Sequence, residues 1–185
     1  MKQNLAKRPP YTIRETRIED AARLPDIERS AGEAFRAIPA LAWLADGEDH
    51  PESTHVAHID AGTSWVAVDT ADSPIGFLIG DLAGDDFYIV EFSVRLDRQG
   101  AGCGKALLSH VAQWARTRGI RSILLSTFRE VPWNAPFYRR MGFREIEWKG
   151  LGDLVSGALE RENAIGLPRE MRCAMRWSCL DSAPK

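Results

Sequence analysis

The chain has 185 residues, 44% hydrophobic and 27% charged, with 24 basic against 26 acidic side chains and a formal net charge of −2. That is the composition of a soluble globular protein, long enough to bury roughly 70% of its unfolded surface without a metal or disulfide staple. Both signs are interspersed, with no basic stripe to suit a nucleic acid, and no run approaches the ~18 apolar residues that would span a bilayer.

Residues 1–10 read as a basic tail without the apolar stretch of a secretory signal. Tyr11–Arg17 alternates weakly and reads as a first strand. Asp20 is placed to cap a helix through about Phe35, whose Ala22, Leu24, Ile27, Ala31 and Phe35 fall near helical spacing. Ala37–Ala45 suggests a short second helix, and Asp46–Thr54 reads as a polar break. Ser64–Asp69 and Pro74–Leu82 form a hairpin pattern. Phe87–Val94, aromatic and β-branched on both faces, is expected at the sheet centre. A helix from about Cys103 to Arg118 presents Leu107, Leu108, Val111, Trp114 and Ala115, with Gly119 where a C-terminal glycine belongs. Ser122–Phe128 reads as a buried strand, Asn134–Met141 as a short helix, and Phe143–Trp148 and Met171–Trp177 as the last strands; Gly150–Leu167 has no clear pattern. One α/β domain over 11–178, with tails at 1–10 and 179–185, is the expectation.

Three cysteines, Cys103, Cys173 and Cys179, match no zinc spacing and are expected as reduced thiols in the cytoplasm. No metal site is expected. His55 and His58, three apart with no cysteine or carboxylate cluster beside them in sequence, read as two surface histidines in preference to ligands, a base or proton carriers.

Gln99-Gly100-Ala101-Gly102-Cys103-Gly104-Lys105 follows a strand and opens a helix. Glycines there let the backbone approach a ligand, and the N–H groups and macrodipole of a helix start favour phosphate. It is not a Walker A loop: Gln99 stands where that motif has its first glycine, and Ala106 follows the lysine. It is not a Rossmann fingerprint either, because Lys105 stands at the third glycine. Further on, Val131–Phe143 (VPWNAPFYRRMGF) places Asn134 and Tyr138 on one helix face, with Asn134 able to cap and Pro136 tolerated in the first turn.

With the glycine loop and the Asn134, Tyr138, Gly142-Phe143 segment in this order, the chain resembles the GNAT superfamily of N-acetyltransferases over about Tyr11–Trp177. The resemblance implies a mixed, mostly antiparallel, splayed sheet of about six or seven strands flanked by about four helices. It implies that acetyl-CoA is the cosubstrate, its pyrophosphate on the main chain of Gln99, Gly100, Ala101, Gly102, Cys103, Gly104 and Lys105. Its pantetheine arm would lie along Phe92, Ser93 and Val94 and touch Asn134. Tyr138 would protonate the departing thiolate. Main-chain amides near Phe92–Val94 would meet the oxyanion.

Glu91, on the face of Phe87, Ile89 and Ser93, is the candidate base or amine anchor; a carboxylate among apolar neighbours is expected to have a raised pKa. The acceptor amine itself is not readable. The two early helices are expected to wall its site, with Phe35, Trp43, His55, His58 and Trp133 as possible lining and Glu28, Glu33, Glu48 and Glu52 as acidic groups facing a cation or plain solvent. Lys105 and Arg140 are candidates for the CoA phosphates. Cys103 at a helix start is read chiefly as a small residue that fits, with a lowered thiol pKa as the alternative. A homodimer stays open. The competing readings are an acyl-CoA sensor without turnover and a toxin that acetylates aminoacyl-tRNA; the slightly acidic balance counts against the toxin.

Overall fold

A computed structural model describes residues 10–147, 157, 160, 166–167 and 169–179. The expectations for the two tails and for most of 150–167 lie outside the described residues. The chain runs β1 (Tyr11–Glu15), a 3-10 segment Ile18–Arg23, α1 (Leu24–Gly32), 3-10 segments Glu33–Ala37 and Pro39–Asp46, and α2 (Glu52–Asp60). Then come β2 (Ser64–Asp69), β3 (Pro74–Ala83), β4 (Asp86–Val94), α3 (Cys103–Thr117), β5 (Ser122–Phe128), α4 (Ala135–Arg140), β6 (Arg144–Ile146) and β7 (Arg172–Ser178). The fold is α/β with an open, mostly antiparallel sheet of seven strands, as expected.

Two differences have local causes. The long first helix is broken into 3-10, α and 3-10 pieces. Pro25, which has no N–H to give a preceding carbonyl, sits in the first turn of α1 and restarts the helix there. Asp20 lies inside the first 3-10 segment, where its carboxylate accepts from the Arg17 amide at 2.8 Å and from the Arg14 guanidinium at 2.6 and 3.1 Å. The second difference is α2, which begins inside the stretch read as a polar break. Its buried residues are His55 and His58, so the face it turns inward carries no apolar period to read.

The chain forms two compact units, Met1–Leu78 with Phe92–Leu107, and Ile79–Glu91 with Leu108–Lys185. In the first unit the strand order is β1-β2-β3-β4, and β1 pairs antiparallel with β2 from Tyr11↔Asp69 to Glu15↔Trp65. Trp65, Val66, Phe77 and Leu107 are fully buried there. At Gly76 a Cβ would lie 3.1 Å from both the Ser93 carbonyl and the Val94 side chain, so the missing side chain lets β3 and β4 close up.

In the second unit the order is β3-β4-β5-β7-β6. β5 pairs antiparallel with β7 from Ser122↔Ser178 to Phe128↔Arg172, and β6 adds to β7 through Arg144↔Arg176. Phe87 fills the space over Gly80 and meets Trp114 of α3 edge-on at 5.2 Å. β4 and β5 are parallel, and their ladder has only the pairs Asp86↔Ser122, Phe87↔Ile123 and Tyr88↔Leu124. β5 continues to Phe128 on its β7 side, so the two strands part after Tyr88. No helix among the described residues is long and apolar enough to cross a membrane.

Candidate active site

In the first unit, β4 ends at Val94 and the Arg95 amide still bonds the Ile75 carbonyl at 3.0 Å. A short 3-10 turn, Leu96–Arg98, follows. Gln99 Nε2 then donates to the Val94 carbonyl at 3.0 Å, tying the loop back to the strand end. Gly100 (φ 76°) and Gly102 (φ 85°) take the left-handed conformation, which turns successive N–H groups outward. The Gly100, Ala101 and Gly102 amides have no acceptor among the described residues, and the helix ladder of α3 opens only with Ala106 N–H to Gly102 C=O at 3.0 Å. The amides of Cys103, Gly104 and Lys105 belong to that unsatisfied first turn. Gln99, Gly100, Ala101, Gly102 and Lys105 are exposed and Gly104 half-buried. A Cβ on Gly102 would lie 3.2 Å from the Tyr11 hydroxyl. This is an open main-chain anion cradle at the positive end of a 15-residue helix.

Cys103 is buried, and burial pushes its thiol up to about 11. The burial fits Cys103 as a small residue that fills its place, and a thiol raised by burial runs against the low-pKa alternative. Ser93 is buried and Phe92 and Val94 are half-buried beside the strand end.

The second unit carries Glu91, Asn134 and Tyr138. Glu91 is half-buried on β4, three residues past the last β5 pair. Tyr138 is 7% exposed, its ring edge-on to Phe137 at 5.3 Å and Phe143 at 5.4 Å. Burial raises its phenol well above the usual value of about 10, the Glu91 charge adds to the rise, and Arg172 opposes it. The hydroxyl is therefore a protonated donor throughout the neutral range. Arg172 is buried on β7, over the Phe128 ring at 4.6 Å, with Nη2 donating to Ser126 Oγ at 2.9 Å. Asn134 stands at the N-cap position of α4 but makes no capping hydrogen bond. Its Oδ1 is buried without a partner among the described residues, a costly state unless a ligand donor meets it. Trp133 is half-buried and Arg140 exposed.

Of the proposed acceptor-side residues, Trp43 is 43% exposed and Phe35 half-buried. The reading of His55 and His58 as surface groups is corrected: their relative exposures are 0% and 9%. His58 Nδ1 lies 3.3 Å from Thr63 Oγ1. His55 packs edge-on against Phe77 at 5.0 Å, and neither ring nitrogen has a hydrogen-bond partner among the described residues. Sequence reasoning passed over His50. Its Nδ1 lies 2.9 and 3.2 Å from the two oxygens of Glu28, and its amide donates to Glu28 Oε2 at 3.2 Å. A histidine in a polar stretch, paired with a glutamate 22 positions back, leaves no local signature.

A family model described as the Acetyltransferase (GNAT) family matches residues 26–143. Among solved structures, the PaiA N-acetyltransferase from Thermoplasma acidophilum in complex with coenzyme A is 16% identical, covers 91% of this chain and 98% of its own, and has a TM-score of 0.66. The ribosomal-protein-S18-alanine N-acetyltransferase from Escherichia coli is 16% identical, with 95% and 96% covered and a TM-score of 0.65. A GNAT family acetyltransferase from Brucella melitensis in complex with acetyl-CoA is 22% identical, with 72% and 82% covered and a TM-score of 0.54. At these identities the structures show a shared fold. The family model spans well over half of the sequence, and the chain belongs to the GNAT family of acetyltransferases.

Proposed function

We propose that this protein transfers the acetyl group of acetyl-CoA to an amine by direct attack in a ternary complex, within one acetyltransferase domain over 11–178. The carrying observation is the row of main-chain N–H groups from Gly100 to Lys105, open at the start of α3, in a chain of this family. A diphosphate offers the oxygens those donors lack. The parting of β4 from β5 after Tyr88 supports a place for an extended pantetheine arm along Phe92, Ser93 and Val94, since a strand edge freed of its neighbour presents main-chain groups to a ligand. The orphaned Asn134 Oδ1 suits an amide N–H of that arm.

The acceptor reaches the protein largely as an ammonium, because the unperturbed pKa of a lysine-like amine is about 10.4. It must lose one proton before its lone pair attacks the thioester carbon. As a base Glu91 takes that proton; as an anchor it holds the nitrogen while a water chain takes the proton. The C–N bond forms, charge develops on the carbonyl oxygen, and amides near Phe92–Val94 are the donors for it. When the C–S bond breaks, the thiolate takes its proton from Tyr138, and the second nitrogen proton restores the phenol. Tyr138 is a weak acid in this environment, so its hydroxyl serves chiefly as a hydrogen-bond donor whose proton moves in step with C–S cleavage. The three cysteines are free thiols, in keeping with a cytoplasmic setting.

Two measurements test this reading. Calorimetry should show acetyl-CoA and CoA binding, and thiol release from acetyl-CoA should depend on added amine across a panel of a diamine, an amino-acid amide and an unblocked peptide. Absence of any association with acetyl-CoA overturns the proposal. Binding without amine-dependent release favours the sensor reading.

A further inference from the structure

The second unit holds a cavity of about 220 Å³ whose lining includes none of Glu91, Asn134 and Tyr138. It lies between α3, the end of α4 and β7. Leu108, Ala112 and Arg116 line it from α3, Met141 and Phe143 from the turn after α4, and Trp177 from β7, with Ser109 beside them. Leu108, Ala112 and Arg116 follow one another at helical i, i+4 spacing, so they form a single row along α3. At Gly142 the chain turns out of α4, and the Phe143 amide bonds back to the Tyr138 carbonyl at 3.0 Å, which sets the Phe143 ring against the cavity.

The floor is apolar and buried: Leu108 is 1% exposed, Phe143 4% and Trp177 8%. Ala112, half-buried in the middle of the row, leaves open the space that a leucine would fill. The only charge in the lining is Arg116. Its side chain is exposed, and its guanidinium carbon lies over the Trp177 ring, 4.8 Å from the centroid. No carboxylate pairs with it among the described residues, and none lines the cavity. A cation or a metal ion therefore finds no ligand here. A guanidinium resting on an aromatic face keeps its in-plane N–H groups for an anion, and the planar partner that matches this fork is a carboxylate. An apolar cavity of about 150 Å³ takes a benzene molecule. The space here thus admits one ring with a short acid arm, and it falls short of the ~300–1,000 Å³ of sites for larger ligands.

We propose that this cavity is a second ligand site, for a small aryl carboxylate. The ring lies among Trp177, Phe143 and Met141, whose thioether suits an aromatic neighbour, and the carboxylate lies on Arg116. Phe143 is shared with the candidate active site, because its ring also stands edge-on to Tyr138 at 5.4 Å. The occupant is one ring away from Tyr138. The inference is independent of the acetyltransfer reading, since it requires neither acetyl-CoA nor an amine.

The test uses phenylacetate as the probe and phenylacetamide as its uncharged counterpart. Both are titrated by calorimetry and ligand-observed NMR into wild type, Arg116→Met and Ala112→Leu, with thermal unfolding to verify that each variant is folded. Wild type should bind phenylacetate saturably, with a Kd of about 1 mM or tighter. Phenylacetamide should bind about tenfold more weakly, for want of the charge-assisted pair. Arg116→Met keeps an apolar stem; it should lose the same factor for phenylacetate and leave phenylacetamide unchanged. Ala112→Leu should abolish binding of both by filling the cavity; if that variant does not fold, Arg116→Met decides alone. The inference is overturned by the absence of saturable phenylacetate binding up to about 10 mM, by equal affinity for acid and amide, or by an Arg116→Met variant that binds phenylacetate like wild type. Displacement of phenylacetate by CoA overturns it as well, because the cavity would then belong to the cofactor.

Discussion

Lowering the pH should destabilise this protein, and His55 carries a separable share of the loss. His55 is fully buried and edge-on to Phe77, with no hydrogen-bond partner at either ring nitrogen among the described residues. Burial drives its pKa from 6.5 down to about 4; the nearby Glu28 charge pulls it partly back, and His50 and His58 push it further down. Below pH 6.5 the unfolded chain protonates this imidazole while the folded chain does not, so the unfolded state binds more protons and stability falls with pH. At about 1.36 kcal/mol per pH unit, the window between 6.5 and about 4 amounts to about 3 kcal/mol, a large part of a typical stability of about 5–15 kcal/mol. The loss is absent above pH 7 and complete near pH 4. Urea unfolding of wild type and His55→Leu between pH 4.5 and 7.5 measures it as the difference between two curves. Carboxylates held below their usual pKa by arginine, such as Asp20 and Asp86, contribute to both curves alike and cancel. His55→Leu should flatten the acid side, whatever it costs near neutrality, because leucine does not titrate. Parallel curves for the two proteins would refute the assignment.

Tyr138→Phe keeps the ring contacts with Phe137 and Phe143 and removes only the hydroxyl, a hydrogen bond to a developing charge of about 1.5–3 kcal/mol. Pre-steady-state thiol release should slow about 10- to 150-fold with acetyl-CoA affinity nearly unchanged; an unaltered rate removes Tyr138 as the donor. Gly102→Ala forces a side chain into φ 85° and toward the Tyr11 hydroxyl, at a cost of about 1–2 kcal/mol. It should therefore weaken CoA binding by about tenfold in calorimetry, with the amides turned off the diphosphate. Gly80→Ala would place its Cβ 2.4 Å from the Tyr88 carbonyl and 2.3 Å from the Phe87 ring. Since backbone cannot yield as a side chain can, chemical denaturation should show a loss of about 1–3 kcal/mol or more.

Elements that the sequence announced are those whose interior face is apolar and whose period is clean. β4 stands fourth of seven strands because both its faces are apolar. α3 ends where Gly119 takes φ 71°, as its position after the last periodic residue indicates. α2 was hidden because it buries imidazoles where leucines would have been legible, and the first helix was misjudged because the apolar spacing continues across Pro25 and Gly32 while the hydrogen-bond ladder does not.

The site divides along the same line. The cradle was readable because it is main chain: the glycines at 100 and 102 are required by positive φ, and a glycine leaves a mark in sequence that a side-chain pairing does not. Asn134 has the residue type and position of a cap, yet it makes no capping hydrogen bond and its carbonyl oxygen is buried without a partner among the described residues; residue type and position alone do not fix a rotamer. Glu28 and His50 are the limiting case. Neither residue is unusual where it stands, and the pairing arises only because two 3-10 segments, Glu33–Ala37 and Pro39–Asp46, fold the chain back on α1. Chemistry built from contacts distant in sequence is set by the geometry of the connection between them. The Glu28–His50 pair therefore lies within 24–60, the stretch least legible from residue spacing, while the glycine loop lies in the stretch that is most legible.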